Sequence, residues 1–88
     1  MVDVSPRNQT VLEGREAVIK CVAEGATLSW TFKNGELPPH AKSTNLIGQS
    51  ILLLSRTSKR MEGWYTCRAK YTSGDAFSNS TLYVLGLF

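Results

Sequence analysis

Two cysteines, Cys21 and Cys67, and a single histidine, His40, are the side chains of this sequence best suited to covalent or proton-transfer chemistry near neutral pH. The cysteines stand 46 positions apart. Joined, they would close a loop worth roughly 4 kcal/mol in the chain-entropy account. Left reduced, they would be two buried thiols of a cytosolic protein. His40 follows Pro38-Pro39 in a loop-forming stretch, with no second group placed to share a proton with it. General acid–base or nucleophilic catalysis needs such a partner. One histidine with scattered carboxylates also matches no metal-ligand spacing. The expectation is a non-enzyme with no metal and no cofactor.

What must position these residues is a small body. A chain of 88 residues is one domain, expected to span 1–88 and to be a module cut from a longer multidomain protein. At this size folding buries only about 60–65% of the unfolded surface, so a covalent staple is useful. The net charge of +3 comes from ten basic residues spread along the chain, not from the concentrated stripe of a nucleic-acid binder. The longest apolar run is Ile51-Leu52-Leu53-Leu54, far short of the roughly 20 residues that cross a bilayer. Nucleic-acid binding and direct membrane insertion are therefore not expected. Two glycosylation sequons, Asn8-Gln9-Thr10 and Asn79-Ser80-Thr81, favour an extracellular or cell-surface setting over a reducing one.

The hydrophobic pattern has period two almost throughout. A first strand at 2–4 breaks at Ser5-Pro6, where proline removes a ladder donor, and resumes at 9–12. Residues 15–23 alternate, with Ala17, Ile19 and Cys21 on one face. Leu28, Trp30 and Phe32 mark a half-buried strand that runs into Asn34-Gly35, a pair suited to the positive φ of a tight hairpin turn. After Pro38-Pro39 comes loop or a short edge strand at 42–46, then a strand at 50–55. A last hairpin, 63–71 with 77–85, turns around Thr72-Ser73-Gly74-Asp75. Short strands at regular spacing, without a helical period, predict an all-β sandwich.

Leu12-Glu13-Gly14, Ile19-x-Cys21, Trp30, Lys33-Asn34-Gly35, Leu52-x-Leu54 and Gly63-x-Tyr65-x-Cys67 together resemble the intermediate (I-set) immunoglobulin domains of cell-surface receptors and adhesion proteins, over essentially the whole chain. The resemblance implies a two-sheet antiparallel sandwich of I-set type. It implies a Cys21–Cys67 disulfide packed on Trp30, Leu52 and Leu54 in the core, and a Tyr65 hydroxyl tying the corner before its strand to nearby backbone. The chain departs from the family at Met61, where an Asp is usual, and in the short spacing between Cys21 and Trp30, which predicts a tight connecting loop.

The resemblance implies extracellular recognition or adhesion, through protein–protein contact or the spacing of neighbouring domains in an ectodomain. The alternative is a structural immunoglobulin module of an intracellular cytoskeletal or muscle protein with reduced cysteines. Partners are then an unidentified protein or a second copy. If Ile19, Cys21, Leu52 and Leu54 point inward, then Val18, Val22, Ile51 and Leu53 point out and form an aliphatic patch on neighbouring strands, either a candidate interface or a surface that edge residues near Lys42 to Leu46 lean over. On the other sheet Trp64 faces solvent amid Thr66, Arg68, Lys70, Tyr83 and Lys33, a candidate interface in which Trp64 is the anchor, the alternative being that lysine and arginine stems cover it by cation–π contact. Arg56, Lys59 and Arg60 form a small basic corner able to meet sulfated glycans. Ser73-Gly74-Asp75 is similar to the short acidic tripeptides that integrins read, and is also ordinary turn chemistry.

Overall fold

A computed structural model describes residues 1–86, so the last two positions of the expected 1–88 domain lie outside the described residues. Eight strands form two sheets. β1 (Asp3–Ser5), β3 (Ala17–Val22), β6 (Gln49–Leu54) and β5 (Ala41–Leu46) lie side by side in the order β1-β3-β6-β5. The second sheet has the order β2-β8-β7-β4, from β2 (Asn8–Leu12), β8 (Gly74–Leu85), β7 (Gly63–Tyr71) and β4 (Thr27–Phe32). Among the described residues a single 3-10 turn, Lys59–Met61, interrupts the all-β pattern.

Pro6 decides how the chain enters both sheets. With no N–H to give, it ends β1, and the chain steps across to the second sheet. Ser80 holds the step in place, its buried Oγ donating to the Pro6 carbonyl at 2.6 Å, while the Thr81 N–H donates to Arg7 O at 2.9 Å. β2 consequently runs parallel to β8, with Asn8 opposite Thr81 and Leu12 opposite Leu85. All the other strand pairs are antiparallel, as the I-set sandwich implies. The crossing at Pro6 carries the chain to the edge of the second sheet, where β2 runs in the same direction as β8.

The inward faces follow the period-two pattern. Ala17, Ile19 and Cys21 lie opposite Leu54, Leu52 and Ser50 in one sheet, and Leu28, Trp30 and Phe32 opposite Ala69, Cys67 and Tyr65 in the other. Ile19, Leu52, Leu54, Tyr65, Leu82 and both cysteines are fully buried. The β3–β4 loop is tight, closed by the Ala26 N–H on Ala23 O with Gly25 at φ 79°.

Two turns sit one or two positions earlier than the sequence predicted. At the end of β4 the positive φ values fall on Lys33 (49°) and Asn34 (62°), while Gly35 closes the turn through paired bonds with Phe32. Asparagine tolerates this conformation well, and Lys33 is held in it by the Phe32–Gly35 bridge. The β7–β8 hairpin turns on Thr72-Ser73, and Gly74 and Asp75 already belong to β8, paired with Tyr71 and Lys70.

Candidate functional site

The cross-sheet cysteines lie on facing strands, β3 and β7, which brings Cys21 and Cys67 to a Cα separation of 6.4 Å in a disulfide. Ser50 is the strand neighbour of Cys21, and Trp30 the strand neighbour of Cys67. Directly beside the disulfide, Trp30 Nε1 donates to Ser50 Oγ at 2.9 Å, and Ser50 Oγ donates to Asn45 Oδ1 at 2.6 Å. The sheets are thus joined by two adjacent rungs, one covalent and one hydrogen-bonded. The second rung satisfies an indole N–H that burial would otherwise strand. Ser50 is a partner that hydrophobic patterning alone did not single out.

A second polar arrangement organises the turn before β7. The buried Tyr65 hydroxyl donates to Met61 O at 2.7 Å, and its ring stacks on Phe32 with centroids 4.6 Å apart. Burial raises the Tyr65 pKa well above the ordinary phenol value. Met61 is itself buried, and the acidic side chain of this turn is its neighbour Glu62. Glu62 pairs with Lys59 at 2.7 Å and accepts the Val84 N–H at 3.1 Å, while Lys59 Nζ donates to Val84 O at 3.1 Å. β7 begins at Gly63, opposite Leu82, so two residues further along β8 these two side chains bond the backbone of Val84 from this side. The Lys59 ammonium and the Val84 N–H hold the Glu62 carboxyl below its ordinary range. Of the basic corner formed by Arg56, Lys59 and Arg60, Lys59 is paired with Glu62. Arg56 and Arg60 line an open groove with His40 and the Pro38-Pro39 loop.

The outer face of the first sheet carries the expected aliphatic residues in a modified form. Val18 lies directly opposite Leu53, and Ile51 is diagonal to both Val18 and Val22. Val18 and Val22 are exposed, but Ile51 and Leu53 are only partly so. The reason is position in the sheet. β6 is flanked on both sides, so Ile51 has Lys20 and Thr44 as direct neighbours, and Leu53 has Val18 and Lys42. The edge strand adds exposed Leu46, diagonal to Ile51, which sequence reading left out.

The outer face of the second sheet is the more aromatic one. Trp64, Phe77 and Tyr83 are 40%, 62% and 47% exposed, and Leu12 and Leu85 form an exposed cross-strand pair. Lys33 lies over Phe32, 5.3 Å from the ring centroid, and not over Trp64 as expected. Arg68 is bonded to Asp75, its Nε at 2.8 Å from Oδ2, so the Asp of Ser73-Gly74-Asp75 is committed within the strand pair. Asn8 and Asn79 are both exposed and both on this face, Asn8 opposite Thr81 and Asn79 opposite Thr66. The Thr66 hydroxyl donates to Asn79 Oδ1 at 2.7 Å. Among the described residues no cluster of three or more His, Cys, Asp or Glu is placed to hold a metal ion. No helix there is long and apolar enough to cross a membrane.

Two four-stranded sheets closed over a disulfide, with a tryptophan beside it and a tyrosine corner below, define a sandwich of the immunoglobulin class. The chain belongs to the immunoglobulin domain family, whose model matches residues 1–70. It is similar to Hemicentin-1 of Homo sapiens, 33% identical over 82 residues, which is 90% of this chain and 1% of that protein. Hemicentin-1 of Mus musculus is 32% identical over the same share. The chain therefore spans about one hundredth of the length of these curated relatives. In fold it matches an I-band fragment of titin with a TM-score of 0.86 at 23% identity, over 98% of this chain and 32% of that one. A structure of two titin domains in complex with telethonin matches with a TM-score of 0.83 at 21% identity, over 98% of this chain and 48% of that one. A titin–obscurin-like 1 immunoglobulin complex matches with a TM-score of 0.83 at 24% identity, over 99% and 96% of the two chains.

Proposed function

We propose that this domain is an extracellular recognition module, making protein–protein contacts within a receptor or adhesion-protein ectodomain. The observation that carries the contact role is the aliphatic cluster on the outer face of the first sheet, where exposed Val18, Val22 and Leu46 surround half-buried Ile51 and Leu53. Contiguous apolar surface of this kind is a recurring mark of contact sites. Lys20, between Val18 and Val22 and opposite Ile51, and Lys42, opposite Leu53, bring apolar stems to this surface and keep their charges in water. The cross-sheet disulfide and the two exposed sequons support an oxidising compartment. Titin domains of this fold form complexes with telethonin and obscurin-like 1, so the scaffold supports protein contact.

The partner on this face is another folded domain, a neighbour in the same array or a second copy. Sedimentation of the isolated domain over rising concentration tests it. Weak self-association is expected for the natural sequence and its loss in Val18→Lys/Leu53→Lys, with unchanged circular dichroism. A double variant that self-associates as strongly as the natural sequence would remove this face from the contact.

A further inference from the structure

We propose that Asn79 carries an N-linked glycan whose first sugar ring packs against Phe77 and Trp64, so that the aromatic face of the second sheet is a glycan seat. The inference rests on the secretory setting proposed above and adds to it a site and a packing partner.

The placement follows from the register. Even-numbered residues of β8 from Ser80 onward are buried, so Asn79 projects to the opposite, outer side of the sheet together with Phe77 and Thr81. Phe77 lies two residues before it on the same face of the same strand, about 7 Å away by strand geometry. Thr66 is directly opposite on β7, and Trp64, whose own partner is Thr81, is diagonal. Diagonal neighbours are within reach of an aromatic side chain. On the other flank β2 begins at Asn8, opposite Thr81, so no β2 residue pairs with Asn79 itself. The Pro6–Arg7 segment runs on that flank beside Ser80 and Thr81, Phe77 and Trp64 stand towards opposite ends of Asn79, and Thr66 and Arg68 lie across from it on β7.

The chemistry of the linkage fits the hydrogen bonding. Transfer joins Asn79 Nδ2 to C1 of the sugar as the C1–O bond to a lipid-linked pyrophosphate donor breaks. The lipid pyrophosphate leaves, and one Nδ2 proton is lost to the transferring enzyme's base. Oδ1 remains a carbonyl acceptor throughout, so the 2.7 Å bond from the Thr66 hydroxyl survives and fixes the direction in which Nδ2 presents the sugar. The Thr81 hydroxyl required two residues on is present. Transfer acts on the chain before it folds, so the pairing of Ser80 in the sheet is no obstacle. A pyranose ring has an apolar face of axial C–H groups that rests favourably on the electron-rich face of an aromatic ring. Phe77 at 62% and Trp64 at 40% exposure are large apolar side chains that the protein itself leaves uncovered.

The domain is secreted from a eukaryotic cell line as the natural sequence and as Asn8→Gln, Asn79→Gln and Phe77→Ala. Glycan at Asn79 is read by intact mass before and after enzymatic removal, and stability by thermal unfolding. Trimming the natural protein to a single N-acetylglucosamine should leave its Tm unchanged, and complete removal should lower it by about 4 °C. That loss should persist in Asn8→Gln and vanish in Phe77→Ala. Independently of any variant, ring protons of the Asn79-linked sugar should shift upfield in NMR spectra of the natural glycoprotein. An unmodified Asn79 in secreted protein overturns the proposal. So does an occupied Asn79 whose removal changes neither Tm nor sugar shifts, or a Tm loss that disappears with Asn8→Gln. The compartment reading fails separately, if Cys21 and Cys67 are free thiols in protein taken from its native source.

Discussion

Replacing Tyr65 with Phe removes one oxygen and leaves the rest of the corner in place. The lost hydroxyl donates to Met61 O at 2.7 Å inside a fully buried site, while the ring and its stack on Phe32 are retained. Met61 is only 5% exposed, so the change leaves its carbonyl short of a partner. A buried group left in that state costs about 1–3 kcal/mol, and about 2 kcal/mol lowers the Tm of a domain this size by roughly 8–16 °C. Alkali gives a second, independent signature. Burial holds the folded phenol protonated above the ordinary phenol pKa near 10, whereas the unfolded chain ionises there. The folded state then binds the extra proton, so the Tyr65 contribution is complete below pH 10. Above it, stability falls by up to about 1.4 kcal/mol per pH unit. Phenylalanine has no such slope. Urea unfolding of both proteins from pH 7 to about pH 11 should show a gap that is constant up to pH 9 and narrows beyond 10. A loss under about 0.5 kcal/mol at pH 7, or a gap indifferent to alkali, would refute the reasoning.

At Gly63 an added Cβ would stand 2.6 Å from Lys33 Cε and 3.1 Å from Phe32 Cε1, on backbone at φ +146°. Gly63→Ala should cost about 2 kcal/mol by denaturant unfolding, and adding Lys33→Ala should not restore it, because the backbone strain stays. Glu62→Gln keeps an acceptor for the Val84 N–H but loses the charge that pairs with Lys59. The folded Glu62 pKa is depressed, so its contribution is present above the unfolded value near 4.5 and is lost as pH falls through the lower folded value. The stability difference between the two proteins should therefore shrink on acidification below pH 4.5, and a difference flat from pH 7 to pH 2 would contradict it.

The fold was legible because its strongest signals are periodic. Ile19-x-Cys21, Leu52-x-Leu54 and Tyr65-x-Cys67 alternate, and alternation assigns each residue to a face without knowledge of neighbours. The family resemblance then matched the two-sheet arrangement found in the structure. Turn positions were less legible. Asn34-Gly35 and Ser73-Gly74-Asp75 advertise a turn, but the flanking ladder decides which residues take positive φ. Polar partners were the least legible. Ser50, Thr57 and Ser80 are small, buried and hydrogen-bonded to residues 20, 42 and 74 positions away, and nothing local in the sequence marks them.

The two outer faces differ for a reason that period two does not contain. A residue's face follows from its own strand, but its exposure follows from which strands flank that one. Ile51 and Leu53 lie on a strand with neighbours on both sides and lose half their exposure to them, while Val18 and Val22, flanked beyond by the three-residue β1, keep theirs. In the second sheet β7 and β8 also have neighbours, yet Trp64 stays open because Thr81 lies opposite it and Thr66 beside it, while Phe77 stays open beyond the start of β2 although Arg68 lies opposite it. Short polar neighbours leave a large ring uncovered, and one neighbour shared by Trp64 and Phe77 is the sequon residue Asn79. A glycan at Asn79 would close that face to proteins. Contact with a partner domain would then fall to the aliphatic face on the opposite side of the sandwich, where no sequon stands.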